Sequence, residues 1–190
     1  TGTISGVVTE LATGDPLPNI EVRVDRDDFD SVGTCTQPDG MYRFEGLEIN
    51  QSYRLEAANE GENPCGGSNN YAHQFFGGAI DERSAEMIPL STESPIKSGN
   101  TISLVKGGRI TGHVYGPDGT TPVPGVVINL YSTTQYDVHV ASWGDTDETG
   151  YFSFANVPVG DHYVRTDARS NSLNPNLIDE WYADGASTVD

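Results

Sequence analysis

Four carboxylates fall close together near the start of this chain: Asp25, Asp27, Asp28 and Asp30. Hard oxygen donors gathered on one loop are the chemistry of a Ca²⁺ site, which takes about six to eight oxygens at about 2.4 Å, with backbone carbonyls and water completing the shell. The EF-hand pattern is not matched, because its turn glycine and its closing glutamate have no counterparts here. The same run also reads as a solvated loop on an acidic protein, and the two readings stand side by side. A second group, Asp145, Asp147 and Glu148, lies before Gly150. There the turn preference of acidic residues competes with a cation as the explanation.

Flat aromatic faces stack on sugar rings, and Trp143, with Tyr131 and Tyr136 near it in sequence, is the group suited to such a ligand platform. Against that stands a place for Trp143 in a sandwich core or at its rim. Cys35 and Cys65 are the only cysteines. Without histidines at ligand spacing they do not read as a zinc site, which leaves a disulfide or two thiols. The loop around Cys65, Asn63-Pro64-Cys65-Gly66-Gly67, favours the disulfide, since closing a loop of about 30 residues stabilises a fold by about 3 kcal/mol. A disulfide in turn implies an extracytoplasmic setting.

Catalytic constellations do not assemble from the remaining residues. His73, His113, His139 and His162 stand apart from one another, with neither a His-x-x-Glu nor a His-Glu-x-x-His run, and there is no Gly-x-Ser-x-Gly elbow. The expectation is a chain that is not an enzyme.

With 28 Asp and Glu against 10 Lys and Arg, the net charge of −18 repels polyphosphates and anionic lipid. Nucleic acid is excluded as a partner on that ground. No apolar run approaches the roughly 18 residues of a membrane helix, so insertion is not expected, and no basic and apolar leader opens the chain. The text begins and ends within domain-like sequence and reads as a mature fragment of a longer protein.

Two copies of one element pattern must position these groups. Thr3–Val8 and Pro16–Val24 reappear as Arg109–Val114 and Pro122–Leu130, and Thr36, Gly40, Tyr42, Phe44, Leu47 and Tyr53 correspond to Thr146, Gly150, Phe152, Phe154, Val157 and Tyr163. By the same alignment, Trp181 and Tyr182 hold the places of Phe75 and Phe76, and they read as wedges packing the exit segment onto its own domain. Ile20, Val22 and Val24 alternate with Glu21 and Arg23, and Tyr42 and Phe44 with Met41 and Arg43. Period two means half-buried strands. Turn signals such as Pro38-Asp39-Gly40 and Pro117-Asp118-Gly119 recur at the rhythm of a sandwich, and only Ile80–Met87 suggests a short helical turn. Thr101–Leu104 reads as the closing strand of the first copy, and Lys106-Gly107-Gly108 is a junction short enough to restrict the angle between domains. The domains are then 1–105, with its exit segment, and 106–190, the second stopping short of a counterpart to Ile102–Leu104.

Four motifs carry a family resemblance: the start Gly107–Val114, the strand Pro122–Leu130, the hairpin Thr146–Phe154 and the strand Val159–Val164. Together they resemble the carboxypeptidase regulatory-like domain, in the transthyretin-like and collagen-adhesin B-type group, and the first copy resembles it through Thr3–Val8, Pro16–Val24, Asp39–Leu47 and Tyr53–Leu55. The resemblance implies an all-β chain of two tandem Greek-key β-sandwich domains of about seven strands each. It implies an accessory module of secreted or surface proteins rather than peptidase activity. Some domains of this group carry a Lys to Asn or Asp isopeptide bond, but the first copy has no lysine before Lys97, and Lys106 adjoins the hinge glycines.

The functional expectation is a non-catalytic spacer of a larger secreted or cell-surface bacterial protein. Its partners would be the neighbouring domains of the parent, with polysaccharide or a surface protein as the ligand of a recognition role. The alternative is a calcium-assisted carbohydrate-binding module attached to a polysaccharide-degrading enzyme.

Overall fold

Every second residue from Gly2 to Val8 in β1 (Gly2–Glu10) is buried, with Ile4 and Val8 fully enclosed, because a pleated strand sends alternate residues to opposite faces. The computed structural model describes residues 1–26, 31–58, 64–66, 71–80, 82–132, 139–167 and 180–182. The chain divides into two compact units, Thr1–Gly107 and Gly108–Asp190.

In unit one, β2 (Glu21–Asp25), β3 (Val32–Cys35), β4 (Met41–Leu47) and β5 (Gln51–Ala58) are followed by β6 (Gln74–Phe75), a 3₁₀ turn at Glu82–Ser84, β7 (Ile88–Leu90), β8 (Ile96–Lys97) and β9 (Ile102–Leu104). One sheet sets β4 antiparallel to β1, whose other side takes β8 and β9 in parallel. The second sheet runs β3-β2-β5-β6, with β7 also on β5. Between them lies one core that includes Ile4, Val22, Val24, Leu55, Ile88, Leu90, Ile102 and Leu104.

Unit two repeats the arrangement. β10 (Gly108–His113) pairs with β13 (Tyr151–Val157), and β11 (Val127–Ser132) lies between β12 (His139–Asp145) and β14 (His162–Asp167). Its separate core holds Val126, Ile128, Leu130, Phe152, Phe154, Val157 and Val164. The all-β sandwich class expected from the alternation is the one observed, and the predicted turn at 80–87 is the 3₁₀ turn at Glu82–Ser84.

One polar knot is identical in both units. The buried Thr36 hydroxyl accepts the Ile20 amide at 2.9 Å and donates to the Leu17 carbonyl at 2.6 Å, while the Thr36 amide and carbonyl bond Ile20 and Asn19. Thr146 does the same with the Val126 amide at 3.0 Å and the Val123 carbonyl at 2.7 Å. The turn that follows needs Gly40 and Gly150, at φ of 74° and 73°, because a Cβ at either would strike the carbonyl of Val8 or of Val114.

The strand registers correct one part of the expected alignment. Val24 and Asp25 face Leu55 and Arg54, whereas Leu130 and Tyr131 face Val164 and Tyr163. Tyr163 therefore corresponds to Arg54, and His162 stands where unit one has Tyr53. The connection through Gly160 is one residue shorter than the one through Asn50, which moves the strand along by one. Function of the position survives the change of residue: the Tyr53 hydroxyl bonds the Glu48 carbonyl at 2.9 Å, and His162 Nε2 meets the Pro158 carbonyl at 2.7 Å.

Thr146→Val keeps shape but strips the partner from one buried amide and one buried carbonyl, which should cost about 1–3 kcal/mol. Both tryptophans, Trp143 and Trp181, belong to unit two, so urea unfolding followed by tryptophan fluorescence reports on that unit. A midpoint equal to that of the parent chain would show that the hydroxyl contributes nothing.

The Tyr42 hydroxyl is buried and donates to the Asn100 carbonyl at 2.6 Å; burial raises its pKa well above the ordinary 10.0. Once the pH exceeds 10.0 the unfolded phenol loses a proton that the folded unit still holds, so the stability of unit one should fall with rising pH there. Tyr42→Phe should make that alkaline slope shallower, with a remainder from Tyr71, whose pKa is raised chiefly by burial. Equal slopes in denaturant titrations of the two proteins would contradict the assignment.

Candidate functional site

Each acidic cluster has one residue whose surroundings are well defined. Asp25 ends β2 and is buried, and its carboxylate meets the Arg54 guanidinium across the ladder at 2.7 Å. Arg54 also pairs with Glu82 and lies over the Phe75 ring at 5.8 Å from its centre. Asp25 is thus an ion-pair residue in the second sheet. Asp27, Asp28 and Asp30 lie outside the described residues.

In the second cluster, Asp147 Oδ1 accepts the Thr149 hydroxyl at 2.7 Å, the Thr149 amide at 2.8 Å and the Tyr151 amide at 3.0 Å. These bonds, the Thr149 hydroxyl first, hold the Asp147 carboxyl below its usual range. They are the bonds of a turn cap, which organises the hairpin leading into β13. Asp145 and Glu148 are exposed. Among the described residues no group of three or more His, Cys, Asp or Glu side chains is placed to hold a metal ion.

The aromatic candidates separate. Tyr136 lies outside the described residues, and Trp143 is placed by its backbone in β12. Tyr131 instead meets Trp181, ring centres 5.4 Å apart, and Tyr163 meets the same indole edge-on at 6.2 Å. Arg165 lies over Trp181 at 5.3 Å. Trp181 is 39% exposed and Tyr182 is exposed beside it.

This cluster is the unit-two version of the Asp25, Arg54 and Phe75 group. Trp181 bridges Arg165, as Phe75 pairs with Glu56, and the Tyr182 amide bonds the Val164 carbonyl as the Phe76 amide bonds that of Leu55. The expected equivalence of Trp181 and Tyr182 with Phe75 and Phe76 is what the backbone shows. Tyr131 and Tyr163 replace the ion pair Asp25 and Arg54. Their convergence with Trp181 was invisible in the sequence because Tyr163 was matched to Tyr53.

Cys35 and Cys65 are joined, as the loop composition suggested, with Cα atoms 5.6 Å apart and a sequence separation of 30. The bond ties the end of β3, opposite Glu21, to the segment between β5 and β6. Lys106 pairs with Glu10 at 3.2 Å, and the Glu10 carboxylate raises its pKa. His73 bonds the Ile80 carbonyl at 3.1 Å, and His113 stacks on Tyr115. No helix among the described residues is long and apolar enough to cross a membrane.

The model of the Carboxypeptidase regulatory-like domain family matches residues 3–64, about a third of the chain and all within unit one. No curated protein matches the sequence. Among solved structures, the Bacillus anthracis TIE protein is 17% identical over 87% of this chain and 28% of its own, with a TM-score of 0.39. A Streptococcal ancillary pilin is 11% identical over 86% of this chain and 52% of its own, at 0.37. A DUF3823 family protein from Bacteroides ovatus is 12% identical over 87% and 89%, at 0.34. The chain thus spans less than two thirds of the length of the first two.

Reducing the disulfide should destabilise unit one by about 3 kcal/mol, since a closed loop of this size limits the unfolded chain. Unit two, with no cysteine, should be unchanged. Amide exchange with and without reductant separates the two units, and equal loss of protection in both would show that the bond does not act locally.

Proposed function

We propose that this chain is a non-catalytic accessory segment of a larger secreted or surface-attached bacterial protein, with tandem sandwiches that space its neighbouring domains. The observation that carries the reading is repetition. Two units, each with its own core, rebuild the same threonine knot and the same strand ladders from different surface residues. The scaffold recurs in both copies, while the surroundings of Asp25 and of its counterpart Tyr131 differ. The disulfide supports an oxidising, extracytoplasmic setting, and the acidic surface supports solubility there.

A second reading, a carbohydrate-binding surface assisted by Ca²⁺, is favoured by Tyr131, Tyr163 and Trp181 meeting beside an exposed tryptophan face. One experiment addresses both. The intact chain is applied to a glycan array in Ca²⁺ and in chelator, while antibodies to it are used on intact and on lysed source cells. The spacer reading expects surface labelling and no saturable glycan binding. Saturable binding abolished by Trp181→Ala would replace it with the second reading, and labelling confined to lysed cells would overturn both.

A further inference from the structure

The turn that joins β4 to β5 in unit one reads Glu48-Ile49-Asn50-Gln51-Ser52, an asparagine with a hydroxyl residue at the second place after it and no proline between them. That spacing is the acceptor pattern for an N-linked sugar, in which the hydroxyl comes within reach of the side-chain amide that is modified. No other asparagine in the chain has serine or threonine at that distance. Glu48, whose side chain is exposed although it pairs with Arg26, places a carboxylate two residues before the acceptor, as the bacterial form of the signal requires.

A motif of this kind needs a surface turn, and the fold supplies one. Asn50, Gln51 and Ser52 are all exposed. Asn50 has a φ of 62°, the left-handed conformation that asparagine tolerates at turns. Its amide donates to the Leu90 carbonyl at 2.7 Å, and β5 then pairs Gln51 with Leu90 and Ser52 with Pro89. On the other side of the turn the Tyr53 hydroxyl bonds the Glu48 carbonyl at 2.9 Å. The backbone is thus tied down on both sides. Among the described residues, no hydrogen bond engages the Asn50 side-chain amide or the Ser52 hydroxyl. An open groove of about 640 Å³ borders all three residues, with Arg26, Met87 and Pro89 among its walls. A bulky, hydrated group attached at Asn50 has room there.

Turn geometry accounts for the asparagine and not for the serine. Asn19 and Asn156 hold the same left-handed conformation, at φ of 57° and 59°, yet the residues two places after them are Glu21 and Pro158. In unit two the connection before His162 runs through Gly160 and Asp161 and contains no asparagine. The sandwich therefore closes without either partner of the pattern.

We propose that Asn50 is the attachment site of an N-linked glycan, carried by unit one and not by unit two. The donor is an oligosaccharide held on a lipid phosphate, and a membrane-bound transferase supplies the base. Asn50 Nδ2 forms a bond to the anomeric carbon of the first sugar while the bond from that carbon to the phosphate oxygen breaks. The lipid phosphate leaves with the electron pair, the base takes one amide proton, and nothing is oxidised or reduced. This inference rests on the extracytoplasmic setting proposed above, since such donors are used on that side of the membrane.

The test begins with the protein isolated from its source cells. Trypsin releases residues 44–54 as one peptide, bounded by Arg43 and Arg54, and electron-driven fragmentation in a mass spectrometer locates any added mass. The expected result is a hexose or N-acetylhexosamine chain on Asn50. Made in the same cells, Ser52→Ala should lose the added mass and Ser52→Thr should keep it; both change an exposed side chain that bonds nothing, so the fold is left intact. Asn50→Gln should lose it as well. An unmodified peptide from protein that antibodies reach on intact cells overturns the site and leaves the surface reading standing. An unmodified peptide from protein confined to lysed cells overturns both. Sugar found on Ser52, or retained at Asn50 in Ser52→Ala, also sinks the assignment.

Discussion

Everything in either unit hangs on a buried threonine hydroxyl. Chain connecting the first strand to the second must dive from one sheet to the other, and a chain in transit leaves amides and carbonyls that no ladder can satisfy. Thr36 and Thr146 sit where those groups are stranded and bond one of each, donating to Leu17 or Val123 and accepting from Ile20 or Val126. An isosteric valine fits the space and leaves two orphans, whereas serine keeps the bonds and loses only a methyl. The glycine turn after the threonine then returns the chain beneath the first strand, where the Gly40 and Gly150 carbonyls receive the Val8 and Val114 amides. Sheet pairing, sandwich closure and the position of the acidic turn at Asp147 all follow from that crossing.

With the crossing fixed, the outer face of the second sheet is free to change. In unit one it holds a charge network, Asp25 to Arg54 to Glu82, laid over Phe75. Unit two has Tyr131, Tyr163 and Trp181 with Arg165 over the indole. A cation on an aromatic ring is retained while its neighbours switch from carboxylates to phenols. An ion pair so enclosed is costly to break by removing one partner, which ties Asp25 to structure. Aromatic rings meeting edge to face leave π surface at the rim, and Trp181 is 39% exposed there.

Period two in the sequence was enough to place the strands, because a strand buried on one face cannot slip by one residue without turning its core outward. The repeat and the cysteine loop were legible for the same local reason. What escaped the sequence depended on partners far apart along the chain. The ion pair of Asp25 could not be read from the sequence, because its counter-ion, Arg54, arrives from another strand. Tyr163 looked like the heir of Tyr53 because residue type was matched and the missing residue in the Gly160 connection was not seen; the ladder of β11 with β14 shows histidine doing the tyrosine's work. The equivalence of Trp181 and Tyr182 with Phe75 and Phe76 was legible, since these aromatics lie at the same place in both copies.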